Sequence, residues 1–172
     1  MILFRSRSQR GQGRKHRTKI SRPGRKRKVT LDSNVLFSAL GLKSRYPRRA
    51  LEKSLRSDKL KHTDTIQNEL LNHKYKNNRK ERKIKNEVEK GLKGLPDPEI
   101  IKPIKNEELA NRYPKVNEKD RKIVHSAKCT KSELLVSGDK RLIGEAKSMG
   151  LNAATPKDYV NEKKKRLSRR NK

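Results

Sequence analysis

Residues 28–40 read KVTLDSNVLFSAL and join a short apolar strand to the start of a helix. The predicted strand covers residues 28–32 and ends on Asp32, and the predicted helix covers residues 34–42. A strand followed at once by a helix is the unit from which parallel sheets are built. This stretch therefore favours an α/β fold with Asp32 at the carboxyl end of a strand.

The alternation of strands and helices continues to residue 160. The apolar spacing predicts further strands over 60–63, 99–104, 133–137 and 151–154. It predicts further helices over 47–57, around Ile66 to Leu71 with Asp64 or Thr65 as the cap, and over 74–93, 117–128 and 140–149. The helix over 74–93 carries a narrow apolar stripe of Ile84, Val88 and Leu92. The predicted fold class is α/β, with a central, mainly parallel sheet covered by helices on both faces, a three-layer α/β/α arrangement.

Positive charge dominates the chain, with a formal net charge of +30 in 172 residues. Residues 1–28 hold twelve Lys or Arg and no Asp or Glu, and residues 161–172 hold seven basic residues against Glu162 alone. Such segments lack the apolar residues that a packed core needs. We therefore expect a basic arm over 1–27, one domain over 28–160 and a basic tail over 161–172.

Few apolar runs and a single cysteine narrow the class of protein further. Cys129 has no partner for a disulfide, which fits a reducing compartment, and no apolar run approaches the length of a membrane span. The acid-free start also resembles a transit peptide, but Gly11 and Gly13 would break its helix. We expect a cytoplasmic protein with no membrane partner.

Four carboxylates stand out against this positive charge: Asp32, Glu69, Asp120 and Asp139. Ligands of open α/β sheets gather at the carboxyl ends of the strands, and all four acids can reach that end. Two like charges 4 Å apart repel by about 4 kcal/mol at an effective dielectric of 20, so such a cluster needs a cation. Carboxylate oxygens favour Mg²⁺ or Mn²⁺ over zinc. Asn34 and Ser137 are short polar groups placed to support the acids or a metal-bound water.

Spacing alone leaves a simpler alternative open. Asp139 and Glu69 could be helix-cap and first-turn acids favoured by the helix dipole, and Asp120 a solvated surface residue. His73 follows Glu69 by one helical turn and is a candidate proton donor, although a surface or packing role is favoured.

A wider pattern bears on these alternatives. The blocks VTLDSNVLFSAL (29–40), ELL (69–71), EKDRKIVHSA (118–127), LLVSGDKRL (134–142) and ATPKDYV (154–160) resemble a PIN domain in order and spacing. The resemblance implies a compact α/β/α nuclease over about residues 28–160 that cleaves single-stranded RNA with Mg²⁺ or Mn²⁺. It implies Asp32, Glu69, Asp120 and Asp139 as catalytic and metal-binding residues, with Asn34 and Ser137 in support. Asn117 stands where related sequences often have another Asp, and Asp64 is an acid that the family does not require.

The basic arms point to a large folded RNA, since phosphate contacts depend on Lys and Arg. We expect ribosomal RNA or another structured RNA as partner, with ribosomal proteins as possible neighbours. A free toxin with an acidic antitoxin is a third, less favoured alternative, because the long arms argue against it. The function predicted is an endoribonuclease anchored by its arms; the alternative is a ribonucleoprotein component with little or no cleavage. The predicted RNA-binding residues are Arg5, Arg7, Arg10, Arg14, Lys15, Arg17, Lys19, Arg22, Arg25, Lys26, Arg27, Lys163, Lys164, Lys165, Arg166, Arg169 and Arg170.

Overall fold

The fold is built on a four-stranded sheet in which every strand pair is parallel. The computed structural model describes residues 25–162. The strands are β1 (Lys28–Leu31), β2 (Lys59–Lys61), β3 (Leu134–Val136) and β4 (Ala153–Ala154), and they lie in the order β2-β1-β3-β4. The predicted α/β class with a parallel sheet is confirmed.

Eight helices of the described region connect and flank these strands. They are α1 (Ser33–Leu40), α2 (Arg45–Arg56), α3 (Asp64–Leu71), α4 (Arg79–Leu92), α5 (Asn106–Arg112), α6 (Glu118–Cys129), α7 (Lys140–Ser148) and α8 (residues 156–162). Within residues 25–162, no helix combines the length and the apolar character required to cross a bilayer.

The two central strands are buried because their sequences are almost wholly apolar. Val29 of β1 lies opposite Leu134 of β3, and Leu31 lies opposite Val136. Three of these four side chains have no exposed surface, and Leu134 is nearly buried. Strands of a parallel sheet that are covered on both faces have this continuous apolar character.

The strand order places a crevice between β1 and β3. The chain leaves β1 towards β2 on one side of the sheet, whereas β3 and β4 lie on the other side. In open α/β sheets the point where the order reverses is where ligands bind, outside the carboxyl ends of the strands. Asp32 follows β1 and Ser137 follows β3, so both residues lie at this point.

Helix α4 packs on the end of α1 through the predicted apolar stripe. Ile84, Val88 and Leu92 are all buried, as the sequence predicts. A Cβ added at Gly41 would lie 2.8 Å from Ile84 and 2.9 Å from Val88, so the glycine permits this close approach. The helix begins at Arg79 rather than at residue 74, because the Asn78 side chain accepts the Glu81 N–H at 2.9 Å and caps it.

The region between α4 and α6 differs most from the prediction. The strand predicted over 99–104 is wrong: only Glu99 forms a bridge, to Thr63, and Ile100 is 85% exposed. Pro103 lacks the N–H that a continued ladder would use. Helix α5, which follows, was not predicted, since Leu109 is its only buried residue and gives no periodic signal. The cap of α3 is Thr63, whose hydroxyl accepts the Ile66 N–H, rather than Asp64 or Thr65.

Candidate functional site

The four predicted acids are held at the carboxyl end of the sheet by different elements. Asp32 follows β1 and its backbone N–H donates to the Val136 carbonyl at 2.9 Å, which fixes it beside β3. Glu69 lies on α3, Asp120 in the first turn of α6, and Asp139 at the start of α7. The charge of Asp120 acts on both Asp32 and Glu69, and that of Asp139 acts on Asp120. The structure therefore brings the four acids into one electrostatic cluster.

Asp32 is the most deeply buried of the acids, with 2% of its surface exposed. The Ser137 hydroxyl donates to its Oδ2 at 2.7 Å, and the Ser33 hydroxyl donates to its Oδ1 at 3.3 Å. Burial raises the pKa of Asp32 and the charge of Asp120 raises it further, while the two serine hydrogen bonds oppose that rise. The carboxylate is thus fixed in position but costly to ionise.

Ser137 joins the ends of the two central strands. Its side chain has no exposed surface, and its hydroxyl oxygen accepts the Asp139 backbone N–H at 3.0 Å while its proton goes to Asp32. The side chain of Asn34 was expected to support Asp32, but it is the backbone N–H of Asn34 that makes the hydrogen bond. Both residues lie beside Asp32, where the sequence placed them.

Glu69 faces Asp32 across the α1–α3 contact. Burial is the main reason that the pKa of Glu69 is raised, and the charges of Asp32 and Asp120 add to it. A hydrogen bond from Ser33 and the charge of Lys122 act in the opposite direction. Ser33 therefore contacts two acids, a role that sequence reasoning missed; its position directly after Asp32 is the one signal that pointed to it.

Arg141 is the second residue that sequence reasoning missed. Its guanidinium nitrogen lies 3.0 Å from Asp120 Oδ2 and 3.8 Å from Asp139 Oδ2, and another lies 3.7 Å from Glu145. Burial raises the pKa of Asp120; Arg141 opposes that rise, while Asp139 adds to it. A cation is thus already present at one side of the cluster, on a side chain that is 54% exposed.

Asp139 also caps a helix, as the simpler alternative held. Its Oδ1 accepts the backbone N–H of Arg141 at 2.7 Å and of Leu142 at 3.4 Å, at the start of α7. Its Oδ2 is the atom that faces the Arg141 guanidinium. Capping and membership of the acidic cluster therefore use different oxygens of one carboxylate.

The four acids are the right ligand type for a divalent metal, but they are not arranged around a single metal position. Four carboxylates provide hard oxygen ligands. Burial and the charges of neighbouring acids raise the pKa of Asp32, Glu69 and Asp120, so a cation among them would relieve their repulsion. In the part of the chain that the structure describes, no three His, Cys, Asp or Glu side chains are arranged to hold one metal ion. The donor set fits Mg²⁺ or Mn²⁺, and the acids would have to draw together around it.

His73 lies in an aromatic cluster. Its ring centroid is 4.7 Å from that of Phe37 and 4.9 Å from that of Tyr75. His73 lies just beyond the end of α3, and its imidazole packs against Phe37 of α1. The packing role favoured for His73 is the one that these contacts describe.

Three of the predicted RNA-binding residues lie in the described region. Arg25 pairs with Glu133 at 3.4 Å, and Lys26 donates to the Arg56 carbonyl at 3.3 Å. Arg27 is more strongly engaged, at 2.8 Å from Glu162 and 3.5 Å from Asp58. The other predicted residues, between Arg5 and Arg22 and between Lys163 and Arg170, lie outside the described residues.

Comparison with known proteins adds no relative: no protein-family model matches the chain, and no curated protein matches it.

Proposed function

We propose that this protein is a PIN-type endoribonuclease that uses Mg²⁺ or Mn²⁺ and is anchored by basic arms on a large structured RNA. The observation that carries the proposal is the electrostatic coupling of Asp32, Glu69 and Asp120 at the reversal point between β1 and β3. Carboxyl groups with perturbed pKa values cluster at functional sites, which supports the proposal. The all-parallel sheet with eight described helices is compatible with the three-layer α/β/α form of PIN domains.

In this proposal Asp32, Glu69, Asp120 and Asp139 hold the metal. A bound Mg²⁺ or Mn²⁺ would lower the pKa of a water and neutralise charge at the scissile phosphate. The hydroxyls of Ser33 and Ser137 donate to Asp32 and would keep its carboxylate oriented while it binds the metal. Arg141 neutralises Asp120 and Asp139 before the metal binds, and its exposed guanidinium can then turn to an RNA phosphate.

Recruitment to RNA follows from charge. Residues 1–24 hold eight Lys or Arg and no acid, and residues 163–172 hold seven Lys or Arg and no acid. Neutralising six to ten phosphates makes affinity fall by roughly 10³ to 10⁵ between low and moderate salt. We infer a ribosomal or similarly folded RNA in the cytoplasm as the anchor, with ribosomal proteins nearby.

The two basic ends adjoin one place on the domain. Arg27 precedes β1 and contacts Glu162, the last described residue, at 2.8 Å. That contact lies at the amino end of β1, whereas Asp32 follows its carboxyl end, roughly 16 Å further along the extended chain. The described region therefore begins and ends near the amino end of β1, opposite the end that carries Asp32.

Cleavage of single-stranded RNA by the purified full chain tests this proposal. We expect endonucleolytic products with Mn²⁺ and none with a chelator, and we expect Asp139→Asn to remove at least 90% of the rate, since each acid holds the metal. Cleavage that persists undiminished in both Asp32→Asn and Asp139→Asn would contradict the assignment of the site.

A second function is favoured by one observation, the Arg141 ion pairs with Asp120 and Asp139. An arginine that holds two acids permanently would leave a ribonucleoprotein component that binds RNA without cutting it. Wild-type protein that co-sediments with ribosomes but cleaves nothing in Mn²⁺ would establish this alternative. Removing residues 1–24, which leaves every described residue in place, should abolish co-sedimentation in moderate salt under either function.

A further inference from the structure

A cleft beside the acidic cluster has no role in the function proposed above. It has a volume of about 460 Å³ and lies between α3, α6 and the extended segment over 101–104. This volume falls within the range of small-molecule sites. Glu69 lines the cleft as well as belonging to the acidic cluster, so the cleft opens onto the proposed cleavage site.

Asp64 fixes one wall of the cleft. Its Oδ1 accepts the Thr65 N–H at 2.7 Å and the Ile101 N–H at 3.2 Å, which ties the extended segment to the start of α3. Ile101, Pro103 and Ile104 line that wall and give it an apolar surface. The PIN-domain resemblance gave Asp64 no role, and these hydrogen bonds show that Asp64 positions the extended segment. A planar ring could lie against such a wall.

The opposite wall carries two amides. Asn68 lies on α3 and Asn72 directly follows the last residue of that helix; both line the cleft and are exposed. Neither side chain hydrogen-bonds any other residue between 25 and 162. An amide offers a donor and an acceptor together, which is the pattern that reads the edge of a nucleobase.

The third side supplies a lysine and a histidine from α6. Lys122 is exposed on α6 and close enough to Glu69 to lower the pKa of that carboxyl. His125 is 7% exposed, its Nδ1 lies 3.0 Å from the Tyr113 hydroxyl, and burial lowers its pKa. The Lys122 ammonium on this side, next to Glu69, is the group that can pair with a phosphate.

We propose that this cleft binds one nucleobase of the RNA substrate, adenine in preference to the other bases, with the adjoining phosphate on Lys122. Asparagine pairs with adenine through two hydrogen bonds, and single-stranded RNA presents unstacked bases that proteins read in this way. The inference rests on the proposed function, because it takes the ligand of the cleft to be the RNA substrate. The cleft can nevertheless be tested without any cleavage. It assigns a base preference to the site.

Fluorescein-labelled RNA hexamers of A, C, G or U, titrated into the full chain in a chelator, test the cleft by fluorescence anisotropy. The chelator prevents metal-dependent cleavage, and the basic arms bind all four hexamers through phosphate alone. We expect the A hexamer to bind most tightly. The double variant Asn68→Ala, Asn72→Ala should weaken binding of the A hexamer by about 5- to 150-fold, the range for the loss of a base contact with two hydrogen bonds. Binding of the other three hexamers should be nearly unchanged.

Asn86→Ala is the matched control, since Asn86 is an exposed asparagine of α4 outside the cleft. All three substitutions replace exposed asparagines, and alanine is the stronger helix former at Asn68 and Asn86, so the variants should fold. Equal affinity for the four hexamers, or an A preference that survives the double variant, would overturn the cleft proposal even if the protein cleaves RNA. An A preference lost in the double variant, in a protein that cleaves nothing, would support the cleft and contradict the nuclease function.

Discussion

The Ser137 hydroxyl donates a 2.7 Å hydrogen bond to the carboxylate of Asp32 across the two central strands of the sheet. Both residues are buried, and Ser137 also accepts the Asp139 N–H. One side chain therefore sets the positions of two acids that are 107 residues apart in the sequence. This contact is the centre of the proposed site, and its removal should lower both the free energy of unfolding and the activity.

Ser137→Ala should destabilise the protein by about 1.5–3 kcal/mol at neutral pH, because a buried carboxylate loses a hydrogen bond. Ser126→Ala is the matched control: Ser126 is equally buried, but its hydroxyl has no hydrogen-bond partner among the described residues, so its loss should cost less than about 1 kcal/mol. Denaturant unfolding measures both. Equal effects of the two variants would contradict the role given to Ser137.

Asp32→Asn should stabilise the metal-free protein at pH 7. Burial raises the pKa of Asp32, so the folded state resists its ionisation, and stability falls as the pH rises from the unfolded-state pKa through the folded one. The variant escapes this cost, and each kcal/mol regained raises the Tm by about 2–4 °C.

The gain should fade as the pH falls through the raised folded-state pKa of Asp32, and it should be lost below the unfolded-state value of about 3.9, where the carboxyl is protonated in both states. Asp97→Asn, at an exposed acid outside the cluster, should change the Tm little at either pH. A gain in Tm for Asp32→Asn that is as large at pH 3.5 as at pH 7 would show that the gain does not come from the cost of ionising the buried Asp32 carboxyl.

Mn²⁺ should raise the Tm of the wild type, since a ligand at 100 times its Kd stabilises by about 2.7 kcal/mol. Asp32→Asn should lose most of this rise. Arg141→Gln should lower the Tm in a chelator but enlarge the rise with Mn²⁺, because the guanidinium now neutralises Asp120 and Asp139. Arg49→Gln, at an exposed arginine of α2, serves as control. An Arg141 variant with an unchanged Mn²⁺ response would show that arginine and metal do not compete.

Tyr159→Phe should destabilise the domain by about 1.5–3 kcal/mol, because the Tyr159 hydroxyl donates to Asp58 at 2.5 Å. Its pKa is raised well above its ordinary value by burial and by Asp58, so the bond persists over the accessible pH range. Tyr75→Phe is the control, since the buried Tyr75 hydroxyl has no partner among the described residues. A smaller loss for Tyr159→Phe than for Tyr75→Phe would contradict this account of the two tyrosines.

The sequence predicts those parts of the fold that local pattern determines. The apolar runs of β1 and β3 and the stripe of Ile84, Val88 and Leu92 are visible as letters, and the structure buries all of them. The placement of Asp32 and Asp139 at one edge of the sheet, both bonded to Ser137, also follows, because the carboxyl ends of neighbouring parallel strands share that edge.

What the sequence does not reveal depends on contacts between distant residues. Nothing local marks Arg141 as the partner of Asp120, since the pair joins two helices, α6 and α7. The extended segment after Glu99 looks like a strand but is held by Asp64 at the start of α3 instead of by a ladder. The cleft exists only because that segment, α3 and α6 come together.

The central claim is that the acidic cluster cuts RNA with a divalent metal. Its most direct test is the single-turnover rate of cleavage of a single-stranded RNA in Mn²⁺ by the full chain and by Asp32→Asn, with Asp97→Asn as control. We expect Asp32→Asn to be slower by 10²-fold or more, a loss of about 2.7 kcal/mol of transition-state stabilisation, and Asp97→Asn to equal the wild type. Equal rates for Asp32→Asn and wild type, or no cleavage by the wild type, would contradict the claim.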